Sequence, residues 1–301
     1  MKYDADKLFG AKRRVWEADF LRGVAILLMC FDHFMYDLSI LPSFFSDFYA
    51  NAPASLYKLW DDGYNFYMST FRDTFHYIFA TLFLLISGIS STFSRNDGAR
   101  CAKLFIFAAI LSTATACIDS VADMGALIVF GIIHLLAFAS LAYRLINKFL
   151  KNDFWFLAFG AAFIIGGIAI EWYAQPFVDM PKDTGQVWIT VLEAMIGLTR
   201  VGSDHFPLFP CAGVVLWGAY IGKKFYPERK SLLPMLDGAW NKGYCEIGRN
   251  NLWVYLLHQP VVAGIIMIIG MTNGLSVFSR SIAAAFGGKS VNDKHKTLSL
   301  A

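Results

Sequence analysis

Apolar residues along this chain come in long runs, not in the alternation of a half-buried strand or the narrow stripe of a surface helix. A membrane-crossing helix needs about 20 predominantly apolar residues, with a range of roughly 17–25. By that measure the pattern predicts spans at 16–38, 76–94, 102–119, 124–146, 154–172, 206–223 and 250–271. The implied fold is an all-α integral membrane protein, a bundle of about seven transmembrane helices. The segment 187–200 (VWITVLEAMIGLTR) is short and holds Glu193, so it reads as an interfacial or re-entrant piece. The piece 275–286 is too short to span. Residues 1–272 read as one transmembrane domain, and 273–301 as a polar tail whose composition suggests disorder. The polar stretches 39–75 and 173–205 are long for mere connectors, and long loops often carry function.

Composition agrees with the pattern. Of 301 residues, 56% are hydrophobic and only 16% charged, against about 25% charged in a soluble domain. The net charge of +3 is too small to suggest nucleic acid. Five cysteines show no metal-ligand spacing, and Cys30, Cys117 and Cys211 lie in or beside apolar runs, so neither a disulfide framework nor a metal site is expected. The first apolar run is too long for a signal-peptide core and reads as a retained span.

Orientation follows from Lys and Arg in short loops. Lys12, Arg13 and Arg14 precede the first span. Arg95, Arg100 and Lys103 lie between the second and third, Arg144, Lys148 and Lys151 after the fourth, and Lys223, Lys224, Arg229 and Lys230 after the sixth. With seven spans all four groups share one side. The opposite loops carry Asp47, Asp61, Asp62, Asp119, Asp123, Asp179 and Asp183. The N-terminus is therefore expected in the cytoplasm, which would leave the basic C-terminal tail outside.

The first span, DFLRGVAILLMCFDHFMYD, carries Asp19, Arg22, Asp32, His33 and Asp37. A charge at the bilayer centre costs about 2.5–3.5 kcal/mol on insertion scales, so such residues face the bundle interior or a water-filled path. Arg22 and His33 return to nearly the same helix face, separated by roughly 16 Å of rise. Asp19 and Asp37 join them within a stripe of roughly 60°, and Asp32 falls elsewhere. Asp37 is placed to orient His33 as a base, and Arg22 to hold an anion or pair with Asp19. The same spacing also fits a helix-end ion pair and a packing hydrogen bond.

Other polar positions add candidates. In GRNNLWVYLLHQP, Asn251, Tyr255, His258 and Gln259 share a face, and Arg249 and Asn250 stand at a helix N-terminus suited to phosphate. FRDTFHYIFATLFLLISG sets Arg72, Asp73 and His76 at the outer mouth of the second span, with Ser87 and Gly88 permitting close helix approach near its inner end. GSDHFPLFPCAG puts Asp204 and His205 just before the sixth span, placed to bind a polar acceptor. His134 is a lone histidine on an apolar helix and reads first as structural.

Five pieces in order, DFLRGVAILLMCFDHFMYDL, LFLLISGISST, FGIIHLLAFASL, FPLFPCAGVVLWGAYIG and GRNNLWVYLLHQP, resemble bacterial members of the heparan-alpha-glucosaminide N-acetyltransferase catalytic-domain family. Arg22 and His33 are also similar to the arginine–histidine motif of acyltransferase family 3. The resemblance implies an inner-membrane enzyme that takes acetyl from cytoplasmic acetyl-CoA and passes it to a sugar or related acceptor on the far side. On that reading His33 and Asp37 are catalytic. Asp19, Arg22, Arg249, Asn250, Asn251 and His258 face acetyl-CoA, and Arg72, His76, Asp204 and His205 face the acceptor. Two rival readings stand beside it. One is a transporter or flippase whose polar stripe lines a path. The other is a haem protein ligated by His33, His134 and His258, which their unequal expected depths disfavour.

Overall fold

The computed structural model describes residues 15–122, 126–174, 187–202 and 204–277. The expected positions Lys12, Arg13, Arg14, Asp123, Asp179 and Asp183, and residues 278–301 of the tail, lie outside these. The described chain is helical throughout, with a single isolated bridge between Ile128 and Gly202. Helix α1 is Trp16–Ser39, followed beyond a 3-10 turn by the short α2 (Phe48–Asn51) and by α3 (Ala54–Tyr67). Then come α4 (Thr70–Ser91), α5 (Asp97–Ala122), α6 (Ile132–Phe149), α7 (Phe154–Ala174), α8 (Val187–Ile196) and α9 (Leu208–Phe225). The last helices of the described residues are α10 (Lys242–Arg249) and α11 (Asn251–Thr272).

Five of these helices, α4, α5, α6, α7 and α11, are long and apolar enough to cross a membrane. Helices α1 and α9 have comparable length and pack among them. Lipid tails are as apolar as leucine, so helix association in a bilayer relies on close packing of small residues. The shared core accordingly mixes Ala25, Ala139 and Ala212 with Ile26, Phe83, Leu135 and Val215. Helices α4 and α9 meet at Gly88 and Gly218, where added side chains would run into the carbonyls of Val215 and Leu85.

Two helix starts differ most from expectation. Helix α4 begins at Thr70, not near 76, because Ser69 Oγ accepts the Arg72 N–H as an N-cap and Asp73 adds charge to the first turn. Arg72 and His76 thus sit inside a helix. Helix α6 begins at Ile132, not near 124. Residues 126–131 are not helical, and α5 side chains satisfy backbone groups there: Ser112 Oγ donates to Ile128 O, Thr115 Oγ1 accepts from Ile128 N, and Asp119 Oδ1 from Ala126 N. Backbone that is not helical survives at membrane depth only when partnered in this way.

The segment 187–200 holds the ten-residue α8. Helices α2 and α3 occupy the long stretch after α1, where Leu41, Phe44, Phe45, Phe48 and Leu56 pack with Ile266 of α11 and Leu275.

Candidate active site

Helices α1 and α11 lie side by side and run in the same direction. Their register is set at the Arg22 end, where α10 packs on α1. A side chain at Gly23 would run into the Tyr244 carbonyl, and one at Gly248 into the Asp19 carbonyl. With α10 occupying that end, α11 starts deeper along α1 than its sequence position suggests. His258, expected nearer the cytoplasmic side than His33, therefore meets it directly. His33 Nδ1 lies 2.7 Å from His258 Nε2, with the rings nearly parallel at 12°.

The bonding order assigns the protons. His258 Nδ1 lies 2.6 Å from the Tyr255 carbonyl oxygen, which only accepts, so Nδ1 carries the hydrogen. In a neutral ring His258 Nε2 then accepts, and His33 Nδ1 donates to it. The lone pair of His33 is left on Nε2. This corrects the expected arrangement in which Asp37 orients His33. Asp37 instead accepts a long bond, 3.4 Å, from Gln259 Nε2.

One residue before His33, Asp32 is 4% exposed and carries a second cluster. Arg72 donates to both its oxygens, Nε to Oδ1 and Nη2 to Oδ2, each at 2.6 Å. The Arg72 guanidinium also stacks 4.1 Å from the centre of the Tyr67 ring. His76 Nδ1 lies 3.0 Å from Asp32 Oδ2. A clamped carboxylate only accepts, so His76 Nδ1 carries the hydrogen. Sequence reasoning set Asp32 aside because it lies off the stripe. The missed signal was its depth: a buried acid in an apolar helix requires a cation, and only Lys58 and Arg72 lie between Ser39 and Ser94.

Asp204 does not open to the far side. Its Oδ2 accepts from the Ile132 N–H (3.1 Å) and from the Tyr255 hydroxyl (2.7 Å), capping α6 from a distant segment and tying it to α11. His205 sits beside it, with Nδ1 buried and unpartnered among the described residues. His134 Nδ1 accepts from Gly131 N, and its Nε2 lies 3.0 Å from Ser112 Oγ. That closed set of bonds matches a structural histidine.

The Arg22 end gathers most of the expected donor-side residues. Arg22 donates to Asp19 Oδ1 (3.3 Å), to the Gly248 carbonyl (3.1 Å) and to Ser90 Oγ. Arg249 Nε donates to Asp19 Oδ2 (3.3 Å) and Nη1 to Glu246 (3.0 Å). Burial works against the Arg249 charge, but its bonds to Asp19 and Glu246 outweigh this and hold its pKa above the ordinary value. Asn250 donates to Glu246, and Asn251 opens α11 at the same end. Two guanidiniums, Arg22 and Arg249, thus share the Asp19 carboxylate, and Arg249 also pairs with Glu246. Among the described residues no group of three His, Cys, Asp or Glu side chains is arranged to hold a metal ion.

A bundle of membrane-length helices with a charged end, a half-buried histidine pair and a clamped carboxylate defines a polytopic membrane protein with a polar internal site. The family described as heparan-alpha-glucosaminide N-acetyltransferase, catalytic, matches residues 14–260. The chain belongs to that family and is a membrane acetyltransferase. No curated protein and no solved structure matches it.

Proposed function

We propose that the protein takes an acetyl group from acetyl-CoA entering at the Arg22 end and transfers it to a sugar or related acceptor reaching the bundle from the opposite end. The observation that carries this is the ordered chain from the Tyr255 carbonyl through His258 to His33. It leaves a base, His33 Nε2, inside the bundle between the two ends. The guanidiniums of Arg22 and Arg249, with Asn250 and Asn251 at the start of α11, are the donors suited to the phosphates of coenzyme A. The coenzyme is too charged to cross a bilayer, so only its pantetheine arm and acetyl group would reach inward.

The chemistry balances with one histidine. His33 Nε2 takes the proton of the acceptor hydroxyl or amine as that atom attacks the thioester carbonyl. The carbon–sulfur bond breaks, and the proton passes from His33 to the departing thiolate, giving free coenzyme A. Holding both reactants in one complex supplies the proximity term. His258 accepts from His33 Nδ1 throughout and stabilises the imidazolium. Arg72 and His76 stand on the acceptor side, next to His33 through Asp32. Asp204 and His205 brace that side.

Basic residues at the ends of α4, α5, α6 and α9 on the Arg22 side support a cytoplasmic N-terminus, and with it outward transfer. The test is acetyl-CoA binding and turnover by the purified protein. Arg22→Ala should weaken binding, and His33→Ala should abolish transfer while the protein stays folded. Full activity in His33→Ala would overturn the assignment.

A further inference from the structure

One turn beyond His33 on the same face of α1, Asp37 is 4% exposed. Its Oδ2 has no hydrogen-bond partner among the described residues. Across the seam on α11, Gln259 follows His258 and presents Oε1, also buried and unpartnered. The only bond joining the pair is the long one from Gln259 Nε2 to Asp37 Oδ1, 3.4 Å. Turning the amide over would set its oxygen against a carboxylate oxygen, so the orphaned acceptor belongs to Oε1. Buried polar groups are almost always satisfied, because an unpaired one keeps the full cost of leaving water. Two orphaned acceptors on residues joined by that one bond, a helical turn from His33, call for donors. No donor among the described residues supplies them.

We infer that Asp37 Oδ2 and Gln259 Oε1 form a binding subsite for a pair of adjacent hydrogen-bond donors on the acceptor molecule, O–H or N–H. This rests on the reading that His33 is the acceptor's base, and it assigns Asp37 a new role. The pair holds the group neighbouring the nucleophile and so presents the reacting O–H or N–H to His33. It also defines selectivity. A site that hydrogen-bonds a donor rejects the analogue lacking it, because its own buried groups are then left unpaired.

The test is ligand-observed saturation-transfer NMR on the full-length protein in nanodiscs. Three probes are used: methyl glucoside for adjacent hydroxyls, cyclohexylamine for an ammonium, and 2-methoxytetrahydropyran, which has a ring but no donors. The expected result is that one of the first two binds and the third does not. Asp37→Asn and Gln259→Leu should each weaken that binding about tenfold or more, the size of one hydrogen bond to a buried acceptor. Gln259→Met serves if the leucine variant fails to fold. The subsite is overturned if neither donor probe binds, if the donor-free ring binds equally well, or if both substitutions leave binding unchanged because water alone fills the pair. Thiol release from acetyl-CoA is followed on the same samples. Donor binding that depends on Asp37 and Gln259 but comes without thiol release would sink the transfer reading and keep the subsite. Thiol release with donor binding indifferent to both residues would do the reverse.

Discussion

Arg72 of α4 grips Asp32 of α1 through both Nε and Nη2, at 2.6 Å each, with the carboxylate almost fully enclosed. Removing one partner of such a pair strands the other charge and costs about 3–5 kcal/mol. Arg72→Ala should therefore lower the thermal unfolding midpoint sharply in detergent. Arg72→Lys should recover only part of the loss, because an ammonium cannot reproduce the planar fork. The double change Arg72→Ala with Asp32→Ala should be less damaging than the sum of the two singles.

In the proposed mechanism His258 acts through His33 as a positioning residue. His258→Phe keeps the ring and removes the acceptor that fixes the His33 tautomer. We expect kcat to fall by about 10²–10⁴, the usual range for general-base catalysis, with little change in KM for acetyl-CoA. A steady-state assay with a pH profile checks this. An equal loss in kcat and in acetyl-CoA binding would mean that His258 only supports the fold.

Gly248 lets α10 press against the Asp19 carbonyl, and that contact sets how deep α11 lies along α1. Gly248→Ala should displace α11 and separate His258 from His33. The expected outcome is loss of transfer accompanied by a lower unfolding midpoint. Ala at Gly243, where nothing lies within 4 Å of an added Cβ, is the control and should leave both unchanged.

Beyond the membrane helices, Asp47 fastens the exit from α11 to the loop after α1. The Ser276 backbone N–H (2.8 Å) and Asn51 (3.0 Å) both donate to its carboxylate. These bonds, the backbone one foremost, hold its pKa below the ordinary carboxylate value. A depressed folded pKa stabilises the contact above the unfolded value of about 3.9, and the effect is lost as pH falls through the folded value. Hydrogen-exchange protection at Ser276 should accordingly decline at low pH. In Asp47→Asn it should already be reduced at neutral pH and show little further pH dependence.

The five helices long and apolar enough to cross a membrane were legible in the sequence because crossing a bilayer demands length and apolarity in one continuous segment, and both can be read locally. The polar stripe of α1 was legible for the same reason: Arg22, His33 and Asp37 share a face through helical geometry alone. The starts of α4 and α6 were less so. Ser69 was a readable cap, but nothing local announces that Asp204 caps Ile132 from 72 residues away.

By itself the sequence determined the class of protein, its helices and which side chains share a face within each helix. Only the tertiary structure decided the partners. His33 pairs with His258 rather than Asp37, Asp32 with Arg72 and His76, and Asp204 with Tyr255. The physical reason is that periodicity fixes direction around a helix but not depth against its neighbours. Depth here is set by Gly23 and Gly248, two glycines whose missing side chains let α10 and α1 touch backbone to backbone.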